Sequence, residues 1–177
     1  MTRFAFDIPT LETERLALRA PREADLDALA SMMAEERTRH IGGPMDRFQS
    51  WRRLASDIGH WAWQGFGYWS IERREDGAWI GMVGLYHPSH FPEPELGWGA
   101  APAFEGRGYM REAAEAARRW GYETQGWRTL ISLIDPQNHR SRALATRLGA
   151  RIDGGFTHAD GWFCDVWRHP GPEALAA

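Results

Sequence analysis

The stretch Glu95–Ala113, ELGWGAAPAFEGRGYMREA, decides how the rest of this chain is read. Leu96 and Trp98 alternate with Gly97 and Gly99, which predicts a strand over Glu95–Ala100. Pro102 marks a turn, and Gly106 and Gly108 bracket Arg107 at the start of a helix expected from about Gly108 to Thr124. Glycine lets the backbone approach a ligand closely, and the first N–H groups of a helix have no partner inside it. Together with the helix dipole they form an anion site suited to a phosphate or pyrophosphate. Met110, Ala113, Ala114, Ala117, Trp120 and Gly121 give the helix a face of mostly small residues, which allows tight packing on a sheet. A Gly-x-Gly by itself also occurs in ordinary turns, and two better-defined phosphate motifs are missing. No Gly-Lys-Ser/Thr occurs anywhere, and no strand is followed by the three spaced glycines of a dinucleotide site.

Upstream, Leu16 and Leu18 alternate with Arg15 and Arg19 as in a half-buried strand, and Pro21 opens a helix with Leu26, Leu29, Ala30 and Met33 on one face. A second helix is expected from about Arg47 to Trp63, with Trp51, Leu54, Ala55 and Ile58 aligned. Tyr68–Arg73 and Trp79–Tyr86 read as strands joined by a hairpin at Glu75-Asp76-Gly77. Downstream come a strand Thr129–Ile134, a helix Asn138–Leu148, and closing strands near Arg151–Gly154 and Trp162–Arg168. Residues 1–9 and Pro170–Ala177 read as loose ends. The order βαα, three strands, αβαββ implies an α/β (α+β) architecture, a central mixed sheet covered by helices.

The bulk properties narrow the function classes. The 177 residues suit a single domain, and 43% apolar with 25% charged residues is ordinary globular composition. A net charge of −3 gives no global field for nucleic acid. No segment approaches the ~20 apolar residues of a membrane span, and the N-terminus lacks a secretory core. One cysteine, Cys164, cannot form an internal disulfide, which fits a cytoplasmic protein. It lies in a tryptophan-flanked strand and is expected to be buried and inert. His87-x-x-His90 has no matching ligand pair, so no metal is expected. The chain has 10 tryptophans and no lysine, so all its positive side chains are arginine.

A second segment, Asp135–Ala150 (DPQNHRSRALATRLGA), follows one strand after the glycine loop. The two together resemble the GNAT N-acetyltransferase superfamily, and within it the ribosomal-protein N-terminal acetyltransferase branch. Gly106-Arg107-Gly108-Tyr109 with Glu112-Ala113 is similar to that branch's phosphate loop and helix, and Asn138-x-x-Ser141 with Leu144, Leu148 and Gly149 to its second motif. The opening Thr13-Glu14-Arg15-Leu16-x-Leu18-Arg19, followed by Asp25-Leu26, is also similar, so the likeness covers roughly residues 10–168. Three positions depart from the pattern: Ala103 opens the phosphate signature, Ala145 stands where many members carry a tyrosine acid, and Gly149-Ala150 replaces Gly-Phe.

The resemblance implies a mostly antiparallel sheet of six to seven strands with about four helices. It also implies a V-shaped opening between the fourth and fifth strands, Glu95–Ala100 and Thr129–Ile134. Acetyl-CoA would enter there, its pantetheine beside Trp98, Gly99 and Ala100 and in contact with Asn138. Its pyrophosphate would lie on the amides of Glu105, Gly106, Arg107, Gly108, Tyr109 and Met110, helped by Arg107 or Arg111. The implied reaction is acetyl transfer to an amine, on a small molecule or a protein N-terminus, by a monomer or homodimer. An antibiotic acyltransferase and a non-catalytic acyl-CoA sensor share the same motifs.

An amine with pKa near ~10 must lose a proton before it attacks a thioester, and a nearby carboxylate can take it. Glu95 shares a strand face with Gly97 and Gly99 beside the implied gap and is the candidate base; alternatively it only organises water or an arginine. Ser141 is the candidate donor to the leaving thiolate; alternatively it caps its helix. The family places the acceptor near the first two helices and the last hairpin. Those stretches hold Trp61, Trp63, Phe91, Phe156 and Trp162 with Glu35, Glu36, Asp46, Glu93 and Asp160. They form either an acid-edged aromatic pocket for a cationic amine or ordinary core and solvated loops.

Overall fold

A computed structural model describes residues 6–176. Any loose end at residues 1–5 or at Ala177 lies outside the described residues. The strands are β1 (Leu11–Glu12), β2 (Leu16–Arg19), β3 (Tyr68–Arg73), β4 (Trp79–Tyr86), β5 (Glu95–Ala100), β6 (Ile131–Ile134), β7 (Arg151–Thr157) and β8 (Phe163–Arg168). The helices are α1 (Leu26–Met33), α2 (Arg47–Gln64), α3 (Tyr109–Gln125), α4 (His139–Arg147) and the short α5 (Pro172–Ala176). A 3-10 helix over Glu36–Ile41 joins α1 to α2 and has no counterpart in the sequence reading. Its residues ERTRHI carry no apolar stripe from which to read it.

All eight strands form one sheet in the order β1-β2-β3-β4-β5-β6-β8-β7, antiparallel throughout except between β5 and β6. The mixed, mostly antiparallel sheet is as expected, with one strand more than six to seven because Leu11–Glu12 adds a short edge. The opening therefore falls between the fifth and sixth strands, the same two segments named above.

The helix α3 lays Ala113, Ala114 and Ala117, all fully buried, against β4 and β5. Methyl-sized side chains let its backbone lie close to the sheet, and the space beyond them is filled by aromatic rings. Trp61 and Trp69 meet edge-on at 4.8 Å, and Trp120 packs at 5.2 Å from Trp69. The helix α2 starts at a reciprocal cap in which Asp46 and Gln49 each bond the other's backbone N–H. The end of the chain is tied down in part: the Tyr122 hydroxyl donates to the Pro170 carbonyl at 2.8 Å, and α5 follows. Residues 8 and 9 are held too, with Ile8 against the core and the Pro9 carbonyl accepting from the Trp69 indole.

Candidate functional site

The site begins where the sheet splits. The parallel pair β5–β6 has one register partnership, Glu95 with Ile131. Beyond it, side chains replace the ladder. The Leu133 N–H donates to Glu95 Oε1 at 3.1 Å, and the Ser132 hydroxyl donates to the Leu96 carbonyl at 2.6 Å. These bonds satisfy backbone groups that would be costly to bury unpaired and leave β5 free to diverge over Trp98–Ala100.

Two cavities flank the split. The larger, about 730 Å³, runs from Trp98, Gly99 and Ala100 past Asn138 to the loop before α3. There Gly106 and Gly108 hold φ of +72° and +80°, a region that a residue with a Cβ enters only at a cost of roughly 1–2 kcal/mol. The two glycines turn the chain so that the first N–H groups of α3 face the cavity end without a carboxylate cap. The 3-10 helix adds Arg37 and Thr38, and α4 adds His139, Arg140 and Arg147, giving this wall a cationic rim with Arg111. Glu105 is ion-paired with Arg37 and lies 3.7 Å from Arg140.

The loop is braced from behind. Arg15 donates to the Arg107 carbonyl at 3.1 Å, stacks over the Tyr109 ring at 4.6 Å and bonds Glu112 at 2.7 Å. Thr13 donates to the same carboxylate at 2.6 Å. Burial pushes Glu112 up, but Thr13 and Arg15 outweigh it and hold the carboxyl below its ordinary range. The opening Thr13–Arg15 segment is thus the buttress of the glycine loop.

The smaller cavity, about 210 Å³, lies on the Glu95 side and meets the larger one at Ile41, Trp98, Asn138 and Ser141. At that junction the Trp98 indole N–H donates to Ser141 Oγ at 3.3 Å. Asn138 caps α4, its Oδ1 accepting the Ser141 N–H at 3.2 Å, so the helix cap is asparagine and the serine hydroxyl is left over for other work. Glu95 is half-buried, and burial pushes its carboxyl up to about 7, against the Leu133 N–H and the charge of Arg53, which favour the ionised form. Tyr68 comes over the strand beside it. A Cβ at position 97 would fall 1.9 Å from the Tyr68 hydroxyl, so glycine is what lets the phenol lie there.

The far wall is a cluster of rings. His158 stacks on Trp162 at 5.4 Å, and Phe91 meets His158 at 5.6 Å and Tyr86 at 5.7 Å. Asp135 bridges the mouth, accepting from His40 Nδ1 at 2.8 Å and from the Trp162 indole at 3.3 Å. Burial favours the neutral carboxyl there, and bonds from His40, the Gln137 N–H and Trp162 overcome it, so Asp135 stays below its usual range.

All the residues anticipated for the cofactor line the larger cavity except Arg107, whose backbone is turned to Arg15. Ser141 lines both cavities and Glu95 the smaller. Of the two readings of the acidic residues, the arrangement favours solvated and paired positions over an acid-edged pocket. Glu35 lies near Arg37, Glu36 near Arg39, Asp46 caps α2, Glu93 pairs with Arg168, and Asp160 holds a turn at Trp162. Trp61 is core, and Trp63 is 90% exposed on the outer side of α2. Of the predicted rings, Phe91 and Trp162 line the smaller cavity, and Phe156 sits behind His158 at 4.9 Å. The sequence reading missed Arg37, His40, Arg53, Tyr68 and Tyr86. Cys164 is buried, and burial lifts its thiol to about 12, so it stays protonated and unreactive.

Residues 15–151 match the family model described as acetyltransferase (GNAT) domain. An acetyltransferase from Agrobacterium tumefaciens is 40% identical and superposes with a TM-score of 0.84, covering 96% of this chain and 98% of that one. The uncharacterized N-acetyltransferase YnaD of Bacillus subtilis is 29% identical over 85 residues, 47% of this chain and about half (49%) of YnaD. RimL, a ribosomal L7/L12 alpha-N-protein acetyltransferase solved in complex with coenzyme A, is 17% identical with a TM-score of 0.73 over 91% of this chain and 96% of that one, which shows a shared fold. No described helix is long and apolar enough to cross a membrane.

Proposed function

We propose that this chain, which belongs to the GNAT acetyltransferase family, acts as a single-domain cytoplasmic enzyme that moves the acetyl group of acetyl-CoA onto an amine. The observation that carries the reading is the junction: two cavities of unequal size meet at Trp98 and Ser141, with a carboxyl poised near pH 7 on the smaller side. The larger cavity fits a CoA ester. It offers glycine-exposed helix N–H groups and arginines to phosphates, and the unpaired side of β5 to an amide-bearing arm. RimL, which shares the fold, was solved in complex with coenzyme A, and this supports a CoA ester as the ligand. When bound there, acetyl-CoA supplies the acetyl group already activated as a thioester.

The protein's residues do the rest. Glu95, ionised above about pH 7, takes the proton from the acceptor's ammonium, directly or through a water. The Ser141 hydroxyl, whose oxygen accepts from Trp98, keeps its hydrogen for donation into the junction, where negative charge on the departing sulfur would gather. Asn138 fixes the first turn of α4 and thereby the serine.

Release of free CoA from acetyl-CoA, measured with a panel of amines and short peptides, tests this. Amine-dependent release that collapses in Glu95→Gln and weakens in Ser141→Ala supports the enzyme and both roles. Binding of acetyl-CoA with no release for any amine supports a sensor instead. Release that persists in both variants keeps the activity and removes these residues from the mechanism.

A further inference from the structure

The smaller cavity contains a cation that acetyl transfer itself does not require. Arg53, on α2, lines it together with Glu95, Tyr68 and Tyr86. Its Nε points to Asp57, one turn along the helix, at 3.2 and 3.3 Å from the two carboxylate oxygens. Its guanidinium lies over the Tyr68 ring, 5.2 Å from the centroid, which fixes the plane of the group. Burial acts to lower Arg53, but the charge of Asp57 outweighs it and keeps the side chain protonated well above its ordinary value. Among the described residues the two terminal nitrogens donate to no protein acceptor. A guanidinium has five N–H donors in a rigid fork, and Asp57 engages only the Nε edge. The outer pair of nitrogens is the geometry that receives a carboxylate through two parallel bonds.

None of Glu35, Glu36, Asp46, Glu93 and Asp160 lines the cavity, which leaves Glu95 as the carboxylate on its wall. Its formally charged groups are one carboxyl, Glu95, and one guanidinium, Arg53, set among the polar side chains of His40, Ser132, Asn138, Ser141 and His158 and the aromatic and apolar walls. That is the charge pattern complementary to a zwitterion. At about 210 Å³ the cavity falls below the ~300–1,000 Å³ typical of drug-sized ligand sites.

We propose that the acceptor is a small amine that also carries a carboxylate, of the α-amino-acid class, with its nitrogen at Glu95 and its carboxylate on the outer fork of Arg53. The proposal rests on the acetyl-transfer reading for the role of Glu95 but not for the binding of the carboxylate. The ring cluster of Phe91, His158 and Trp162 then faces the side chain, favouring apolar or aromatic amino acids over small polar ones.

The test compares common α-amino acids with their primary amides, which keep the amine and lose the charge. CoA release is followed for wild type, Arg53→Gln and Arg53→Lys, and binding of the same amino acids to each protein is measured by calorimetry with CoA present. Arg53→Lys keeps a cation beside Asp57, so it guards against a variant that merely misfolds; circular dichroism checks both. In wild type the acid is expected to be favoured over its amide by about ten- to hundredfold in kcat/KM, the range for a charged hydrogen-bonded pair. That ratio should fall to near one in Arg53→Gln and to an intermediate value in Arg53→Lys, which lacks the fork. Amides used as well as acids by wild type, or a preference that survives Arg53→Gln, overturns the proposal while leaving acetyl transfer standing. If no amine is acetylated yet amino acids bind to wild type and not to Arg53→Gln, the transfer reading fails and the carboxylate site stands. If neither turnover nor binding occurs, both are wrong.

Discussion

The two cavities that meet at Trp98 and Ser141 are built from different materials. The larger has a backbone floor from one continuous stretch, a strand edge, two glycines with positive φ and the first turn of α3, under a rim of side chains from the 3-10 helix and α4. The smaller is side chain, gathered from the 3-10 helix, α2, β3, β4, β5, β6 and the β7–β8 hairpin. A backbone site can keep its shape while most surrounding side chains change. A side-chain site changes its chemistry with each substitution. One fold can thus hold a constant donor on one side of the sheet split and a variable acceptor on the other.

The sharpest way to break this division is at Glu95, the group proposed to face the acceptor and fixed by the split itself. Glu95→Gln is expected to lower kcat by about 10²- to 10⁴-fold, the range for loss of a general base, with the affinity for acetyl-CoA unchanged by calorimetry. Wild-type kcat/KM should fall about tenfold per unit as pH drops below about 7, because the carboxylate form is required; the variant should lack that limb. Stability carries the opposite sign. With a folded value near 7 against an ordinary 4.5, the folded chain holds this proton more tightly than the unfolded chain. Its contribution to stability is therefore full below about pH 4.5 and is lost as pH rises through 7. Glu95→Gln should consequently melt higher than wild type at pH 8, with the gap closing by pH 5. A variant that loses acetyl-CoA affinity, or that melts lower at every pH, would mean that Glu95 only braces the Leu133 N–H.

On the backbone side the expected effect is smaller. Gly108→Ala forces a Cβ into φ of +80°, at roughly 1–2 kcal/mol. Beyond its chain neighbours, that Cβ would meet only Arg15 Nη2, at 3.4 Å, so the strain is mainly torsional. Acetyl-CoA should bind up to about tenfold more weakly, while KM for the amine stays where it was. A shift in the amine KM with the acetyl-CoA affinity intact would show that the two sides are not separable.

The same division explains what was legible in the sequence. Strand alternation at Glu95–Ala100, Gly106 and Gly108 before a helix, and Asn138 three residues ahead of Ser141 are local patterns, and each lies on the element read for it. The sheet split was expected from resemblance, and its physical device, Glu95 and Ser132 substituting for ladder bonds, leaves no mark in the one-dimensional pattern. The acceptor side is invisible for another reason. His40 meets Asp135 across 95 residues, and Arg53 meets Glu95 across one cavity although they belong to a helix and a strand far apart in sequence. No local spacing encodes such pairs. Charge counting could not choose between the two readings of the acids: Arg168 takes Glu93, and the start of α2 takes Asp46.

Trp63 provides the mildest test and the one that best bounds the acceptor side. Its segment suggested a pocket residue, yet the helix turns it outward, and it is 90% exposed while Trp61, two residues earlier, is 2% exposed. A period of 3.6 residues sends positions i and i+2 to nearly opposite faces, so both rings cannot serve one cavity. Trp63→Gln should change stability by no more than about 0.5 kcal/mol, as for surface substitutions generally, and should leave kcat/KM for small amines unaltered. If it instead weakens turnover of a peptide acceptor while sparing small amines, the acceptor extends over the outer face of α2. The size limit inferred from the inner cavity would then hold only for the reacting end.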